Sequence, residues 1–482
     1  MNGIAMTVAL LLSQAPLQQY VDRIARQEPL AGAVFGVMVQ DRDGRVLASY
    51  QPDRKMVPAS NMKLVTTGAA LHALGADYRF ETRIGYTGEI REGTLHGDVY
   101  IIGGGDPTIG VKDSIALRPD ALFWKWKTLL KGAGISRIDG RIIGDGRAYE
   151  GHLENTSWTY DDTGTYYGTG CSALSFYANA VDYAMQAGVE GSPVEAVQTY
   201  PETPWMHFSN YGTTGPAGTG NSLYLYTTDL APYAELRGSF AVDRKPKTEH
   251  FANKYGALTC AYYFWKNLRA TGWEVTGSYA DIDRGGYVRS ADFVPSAPAG
   301  EPTAIGTSTS PTLSQIVRET NHRSDNFYAE TLLRTLGERS TGIAAYDSCY
   351  VALGEVLESL GLPPEGVRVE DGSGLSRNNY VSPHYLSTFL RAMTASPAFD
   401  AFLASLPQPG TGTVRTLPVD PARRSRVRLK SGSMDGVLCY SGYILSADGL
   451  PEKTFSLMVN NCTVPTAEIR SCLARLIDRL MD

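Results

Sequence analysis

Three short motifs hold the reactive side chains of this sequence: Ser60-Asn61-Met62-Lys63, Ser324-Asp325-Asn326 and Lys430-Ser431-Gly432. A serine hydroxyl is a weak nucleophile at its free pKa and needs an adjacent base. Lys63 can be that base if its charge is suppressed, because a desolvated ammonium releases its proton more readily. Ser324 then reads as a hydroxyl proton relay, Asn326 as an amide partner for Lys63, and Lys430 as a fixed cation for a substrate carboxylate. Together they describe acyl transfer through a covalent intermediate on Ser60, with no histidine required. Each motif alone has a plainer reading. Ser324 or Asp325 can cap a helix, and Lys430-Ser431-Gly432 can be an exposed edge strand with a turn. Those readings do not explain why all three occur in order.

The elements that must position these residues show in the hydrophobic pattern. Pro58-Ala59 leads into a helix over 61–74, with Met62, Leu64, Val65, Ala69, Leu71 and Leu74 as apolar positions and Gly75 as its C-terminal cap. Three-residue spacing places Ser60 and Lys63 on one helical face. The helix N-terminus offers N–H groups and partial positive charge to an oxyanion beside Ser60. Leu313–Val317 and Phe327–Leu333 both have helical spacing, so the second motif occupies an inter-helix connection. Arg426–Lys430 alternates as a strand, Gly432 lets a substrate backbone lie close, and the Ser433 N–H is the natural second oxyanion donor. Segments 33–39 and 46–50 form a hairpin around the turn at 41–44, and further strands follow at 437–445 and 454–459. Helices are expected around Leu17, Val21 and Ile24 and over Ile469–Leu480. The prediction is an α+β fold, five antiparallel strands flanked by the two terminal helices. Ser60 and Lys430 would face one groove, with Ser324 on its opposite wall.

These motifs occur with Gly105-Asp106-Pro107, Asp139-Gly140-Arg141-Ile142-Ile143-Gly144-Asp145, Ser172-Ala173-Leu174-Ser175 with Asn179, Asn321, and Asp371-Gly372-Ser373-Gly374-Leu375-Ser376-Arg377. The set resembles the class C low-molecular-mass penicillin-binding proteins, the D-alanyl-D-alanine carboxypeptidase/endopeptidases of peptidase family S13. The resemblance covers most of the chain, including a long insertion between the first two motifs. It implies a transpeptidase domain of the penicillin-binding-protein and serine β-lactamase type, carrying large inserted domains. It also implies that Ser60 is acylated by the penultimate D-alanine of a peptidoglycan stem peptide. Lys63 would take the Ser60 proton, Ser324 would return one to the leaving D-alanine, and Lys430 and Ser431 would hold the terminal carboxylate. β-Lactam antibiotics, which imitate the D-Ala-D-Ala amide, are the implied covalent inhibitors. Substrate-binding positions carried over are Ser431, Gly432, Ser433, Met434, Leu375, Arg377 and Asp162, with Asp161 as a rival to Asp162. Of these, Asp162, Arg377 and Met434 would meet the distal end of a diaminopimelate side chain. Ser431 and Ser433 stand where the family usually has Thr, and both keep a hydroxyl. A serine β-lactamase or esterase on the same scaffold, or a catalytically silent peptidoglycan-binding protein, are the alternatives.

At 482 residues and 43% hydrophobic content the chain exceeds a usual single domain. The expected organisation is a split catalytic domain over 16–80 and 290–482, an inserted domain over 81–185 and 251–289, and a nested insertion over 186–250. The net charge of −6 without like-charge blocks points to no nucleic-acid partner. No apolar run is long enough for a transmembrane segment. Residues 1–15, with an apolar run at 8–12 and small residues at Ser13 and Ala15, resemble the remnant of a signal peptide, so an exported, periplasmic or cell-envelope location is expected. The six cysteines show no Cys-x-x-Cys spacing and the seven histidines no His-Glu-x-x-His, so neither a metal nor another cofactor is called for. Cysteine pairing and oligomeric state stay open.

Overall fold

The computed structural model describes residues 16–283 and 285–482. The signal-peptide reading of 1–15 lies outside them. Two compact units emerge. Among the described residues, one comprises 16–78 with Leu313–Leu336 and Cys349–Asp482, and the other Arg79–Thr312 with Gly337–Ser348.

The first unit is built on a five-stranded antiparallel sheet in the order Val46–Tyr50, Val34–Asp41, Pro451–Asn460, Val437–Leu445, Val427–Met434. Strands from both ends of the sequence therefore share one sheet. Val437–Leu445 is buried at every position, which requires cover on both faces. On one face Phe35, Val37, Val39, Leu438, Tyr440, Leu457 and Val459 pack with Val21 and Ile24 of the helix over 16–24 and with Ile469, Leu473, Leu476, Ile477 and Leu480 near the C-terminus. Each such side chain, fully buried, contributes about 2 kcal/mol of transfer free energy. The other face carries the helix Pro383–Met393, tied down where Tyr443 Oη donates to Leu390 O at 2.7 Å. Gly68 of the helix Met62–Leu74 packs against Phe389 of that helix, where an added Cβ would meet the ring at 2.7 Å.

The second unit holds a seven-stranded sheet ordered Pro295–Pro298, Tyr287–Ser290, Tyr279–Ile282, Ile142–Asp145, Val99–Ile102, Glu81–Tyr86, Thr303–Thr309. Helices Pro119–Gly132 and Gly256–Ala270 supply Phe123, Trp126 and Phe264 to its core, with Trp126 edge-on to Phe264 at 5.2 Å. A separate core of Val181, Tyr183, Leu225, Leu236, Phe240 and Phe251 serves the small sheets between 180 and 252. This unit continues past the expected limit at 289, because Thr303–Thr309 pairs antiparallel with Glu81–Tyr86. The six cysteines are all free thiols, and all but Cys462 are buried. Among the described residues, no helix is long and apolar enough to cross a membrane.

Candidate active site

Ser60 stands in a single 3-10 turn, Ala59–Asn61, that runs directly into the helix Met62–Leu74. The helix thus starts one residue later than its apolar pattern suggested. Ala59 holds φ at 47°, a left-handed conformation that a non-glycine residue adopts at a cost. The turn is pinned to the sheet by Asn61, whose Nδ2 donates to Ser441 Oγ at 2.8 Å, and Ser441 Oγ donates to Ser456 Oγ at 2.9 Å. All three side chains are buried, so this polar chain fixes the position of Ser60 from below.

Lys63 is fully buried, and its ammonium donates to Ser60 Oγ at 3.0 Å, Asn326 Oδ1 at 2.6 Å and the Ser373 carbonyl at 2.7 Å. Three acceptors match its three protons. Burial pulls its pKa down to about 8, against the opposing pull of Asp371, Glu330 and Asp325. A lysine so placed exchanges its proton near neutral pH.

Ser324 and Asp325 connect helices Leu313–Arg323 and Asn326–Thr341. Ser324 sits at φ 58°. Asp325 Oδ1 accepts the Tyr328 N–H at 3.0 Å and so caps the second helix, while Asn326 one residue on reaches Lys63. Capping and site-building coexist here on adjacent residues. Asn321 Nδ2 donates to Thr67 Oγ1 and Ser405 Oγ, tying the helix before the motif to the helix that carries Lys63.

Lys430 lies on the edge strand Val427–Met434, fully buried, and donates to Ser324 Oγ at 2.9 Å and Ser431 O at 2.7 Å. Burial first, and then the neighbouring Lys63 charge, push its pKa well below the usual lysine range. Ser431 Oγ shares a hydrogen bond with Thr413 Oγ1 at 2.9 Å. Gly432 faces the Ser60 turn, where a Cβ would lie 2.4 Å from Pro58 O and 3.1 Å from Ser60 N. Ser433 is exposed and Met434 half-buried at the end of the strand. The exposed Arg377 donates to Asp435 O at 3.3 Å, beside Met434, and Leu375 is half-buried two residues before it. Asp162 belongs to the second unit. It sits in the helical turn Tyr160–Thr163, half-buried, its Oδ2 accepting Thr159 Oγ1 at 2.7 Å, with Asp161 exposed beside it.

Two buried carboxylates complete the surroundings of Lys63, and the sequence reading gave neither a role. Glu330 accepts the Ser373 N–H at 2.7 Å and the Gly372 N–H at 3.2 Å. Asp371 accepts the N–H groups of Gly374 and Ser376 at 2.7 and 2.6 Å and Asn379 Nδ2 at 2.8 Å. The available signal was the spacing of Glu330 four residues after Asn326, one turn along the same helical face. Thr413, directly after Gly410-Thr411-Gly412, is the other residue not anticipated. Among the described residues, no group of three or more His, Cys, Asp and Glu is placed to hold a metal.

The family model described as "D-Ala-D-Ala carboxypeptidase 3 (S13) family" matches residues 17–480. A D-alanyl-D-alanine carboxypeptidase of Actinomadura sp. (strain R39) is 29% identical over 472 residues, covering 93% of this chain and 82% of that protein. The crystal structure of penicillin binding protein 4 (dacB) from Haemophilus influenzae shares the fold, with TM-score 0.79 at 22% identity over 97% of this chain and 99% of that one. A second structure of that protein, complexed with a novel β-lactam, gives TM-score 0.74 at 21% identity, over 97% and 99% of the two chains.

Proposed function

Because the chain belongs to the D-Ala-D-Ala carboxypeptidase 3 (S13) family of cell-wall hydrolases, we propose that its DD-carboxypeptidase chemistry runs through an acyl-enzyme on Ser60 with Lys63 as base. The carrying observation is the buried Lys63 amine 3.0 Å from the Ser60 hydroxyl, with its pKa lowered to about 8. The neutral amine accepts the hydroxyl proton as Ser60 Oγ attacks the carbonyl of the penultimate D-alanine. The resulting oxyanion is held by the N–H groups of Ser60 and Ser433, and the close approach of Gly432 to Ser60 N supports that pairing. Collapse breaks the C–N bond, and the leaving amine of D-alanine takes through Ser324, hydrogen-bonded to Lys430, the proton that Lys63 had accepted, which returns Lys63 to its neutral form. Water then hydrolyses the ester and frees Ser60.

The terminal carboxylate of the substrate is assigned to the Lys430 amine, which bonds the Ser431 carbonyl, and to the Ser431 and Thr413 hydroxyls, which share a hydrogen bond. Leu375, Arg377 and Met434 are assigned to the stem side chain, supported by the Arg377 contact at the end of the Met434 strand. Asp162 is assigned to the same side chain on the family resemblance alone. The proposed substrate is the peptidoglycan stem peptide, which places the enzyme outside the cytoplasmic membrane. β-Lactams, bound by the Haemophilus relative, should acylate Ser60 here as well.

Incubation with a fluorescent penicillin followed by peptide mass mapping tests this reading. A long-lived adduct on Ser60, absent in Ser60→Ala, together with D-alanine release from a pentapeptide, is the expected result. Rapid turnover of the penicillin without D-alanine release would mark a β-lactamase, and no adduct a silent binding protein.

A further inference from the structure

The loop 371–376 delivers the Ser373 carbonyl to Lys63 at 2.7 Å, and within the loop Asp371 holds the Gly374 N–H of that same peptide group at 2.7 Å. The two preceding peptide groups are held from outside the loop. Glu330, 1% exposed, takes the N–H of Ser373 at 2.7 Å and that of Gly372 at 3.2 Å, so the Ser373 backbone is held on its N–H side by Glu330 and on its carbonyl side by Lys63. Glu330 also lies one helical turn from Asn326, which accepts a second Lys63 proton. One helix thus governs two of the three Lys63 acceptors, directly through Asn326 and through the loop by Glu330.

We propose that Glu330 is a positioning residue for the reaction, its carboxylate clamping the Gly372-Ser373 backbone and supplying the negative charge that holds the Lys63 amine against Ser60. The proposal rests on the reading of Lys63 as the base. The groups acting on Lys63 are the carboxylates of Glu330, Asp371 and Asp325, which favour its charged form, and the buried Lys430, with which it interacts unfavourably. Arg334, one turn beyond Glu330 on the same helix, is also buried. Burial and the neighbouring Asp371 raise the Glu330 pKa, so its charge is felt on the alkaline side of neutrality, where Lys63 titrates.

Two substitutions separate clamp from charge. Glu330→Gln keeps an acceptor for the shorter contact and removes the charge. The acid limb of the pH profile of Ser60 acylation by penicillin should move down by about one unit. Glu330→Asp keeps the charge and withdraws it by one methylene. Its midpoint should stay while the plateau rate falls about tenfold or more, because a displaced acceptor misaligns the base. Wild-type midpoint and plateau in both variants, even with a lowered melting temperature, would overturn the proposal, since Glu330 would then serve folding alone. If Glu330→Gln does not fold, a wild-type plateau in Glu330→Asp is sufficient to overturn it. No Ser60 adduct in the unmutated protein would overturn the Ser60–Lys63 reading instead, and this proposal with it.

Discussion

Replacing Gly432 by alanine is the sharpest probe of how the edge strand meets the nucleophile. The new Cβ would lie 2.4 Å from Pro58 O, 2.8 Å from Asn61 N and 3.1 Å from Ser60 N, all backbone atoms of the turn that carries Ser60. Ordinary contact begins near 3.4 Å, so strand and turn must part by about 1 Å. Neither side yields easily. Lys430, two residues back, is hydrogen-bonded to Ser324, and the turn is pinned through Asn61, Ser441 and Ser456. Overpacking of this kind costs about 1–3 kcal/mol of stability. The kinetic effect should be larger, because a displacement of about 1 Å at a reacting centre costs about 100-fold in rate, equivalent to about 2.7 kcal/mol of barrier. Stopped-flow acylation by a fluorescent penicillin, with thermal unfolding in parallel, separates the two. Gly354→Ala, in the helix Tyr346–Ser359, is the control, since its Cβ would meet nothing closer than Pro364 Cβ at 3.6 Å. An acylation rate in Gly432→Ala within threefold of the wild type would refute the reasoning.

Wild-type acylation should rise with pH through a midpoint near 8, since the reactive form of Lys63 is the deprotonated one and its proton leaves at about that pH; a pH–rate profile flat from 6 to 9 would contradict the assignment. Ser324→Ala should lower turnover of a D-Ala-D-Ala peptide by about 100-fold through loss of the proton relay, read as D-alanine released per unit time. Lys254→Met should cost the inserted unit about 3–5 kcal/mol, because the buried Lys254 pairs with Glu154 at 2.8 Å and its removal strands that carboxylate; calorimetry checks it. Gly354→Ala should itself stabilise the protein by about 0.5–1 kcal/mol through reduced helix entropy cost, visible as a raised denaturation midpoint.

The five-stranded sheet was legible because its strands carry their own signal. Val437–Leu445 is apolar on both faces, the hairpin around residues 41–44 announces its turn, and the C-terminal helix places Ile469, Leu473, Leu476 and Ile477 on one stripe. The meeting of Lys63 with Ser60 and Asn326, and of Lys430 with Ser324, was legible because the proposed chemistry restricts residue type and local spacing together. Glu330 and Asp371 were not, because a buried carboxylate looks in sequence like any surface acid, and only the fold shows that the N–H groups of residues 372–376 surround these two. Thr413 was invisible for the same reason, since its partner Ser431 becomes a neighbour only across the 3-10 turn Gly412–Val414. The limit of the inserted unit was missed because Thr303–Thr309 is mostly polar and exposed, and what makes it part of that unit is its pairing with Glu81–Tyr86, more than 200 residues earlier.

The topology also explains why the site tolerates so long an insertion between its parts. Val34–Asp41 pairs with Pro451–Asn460 on one side and Val46–Tyr50 on the other, so the sheet is closed by the last strands made. The insertion leaves at Tyr78 and returns at Leu313, where Leu313 N donates to Tyr78 O at 2.8 Å. Exit and re-entry are therefore adjacent in the backbone, and the catalytic unit meets the same geometry whether the intervening chain is short or long, because loop-closure cost grows only with the logarithm of length. That adjacency lies directly between the helix bearing Lys63 and the helix leading to Ser324. The segment bearing Ser60 and Lys63 and the segment bearing Ser324 and Asn326 are thereby registered by two backbone hydrogen bonds, Leu313 N to Tyr78 O and Ser314 N to Ala76 O, and by Asn321 to Thr67.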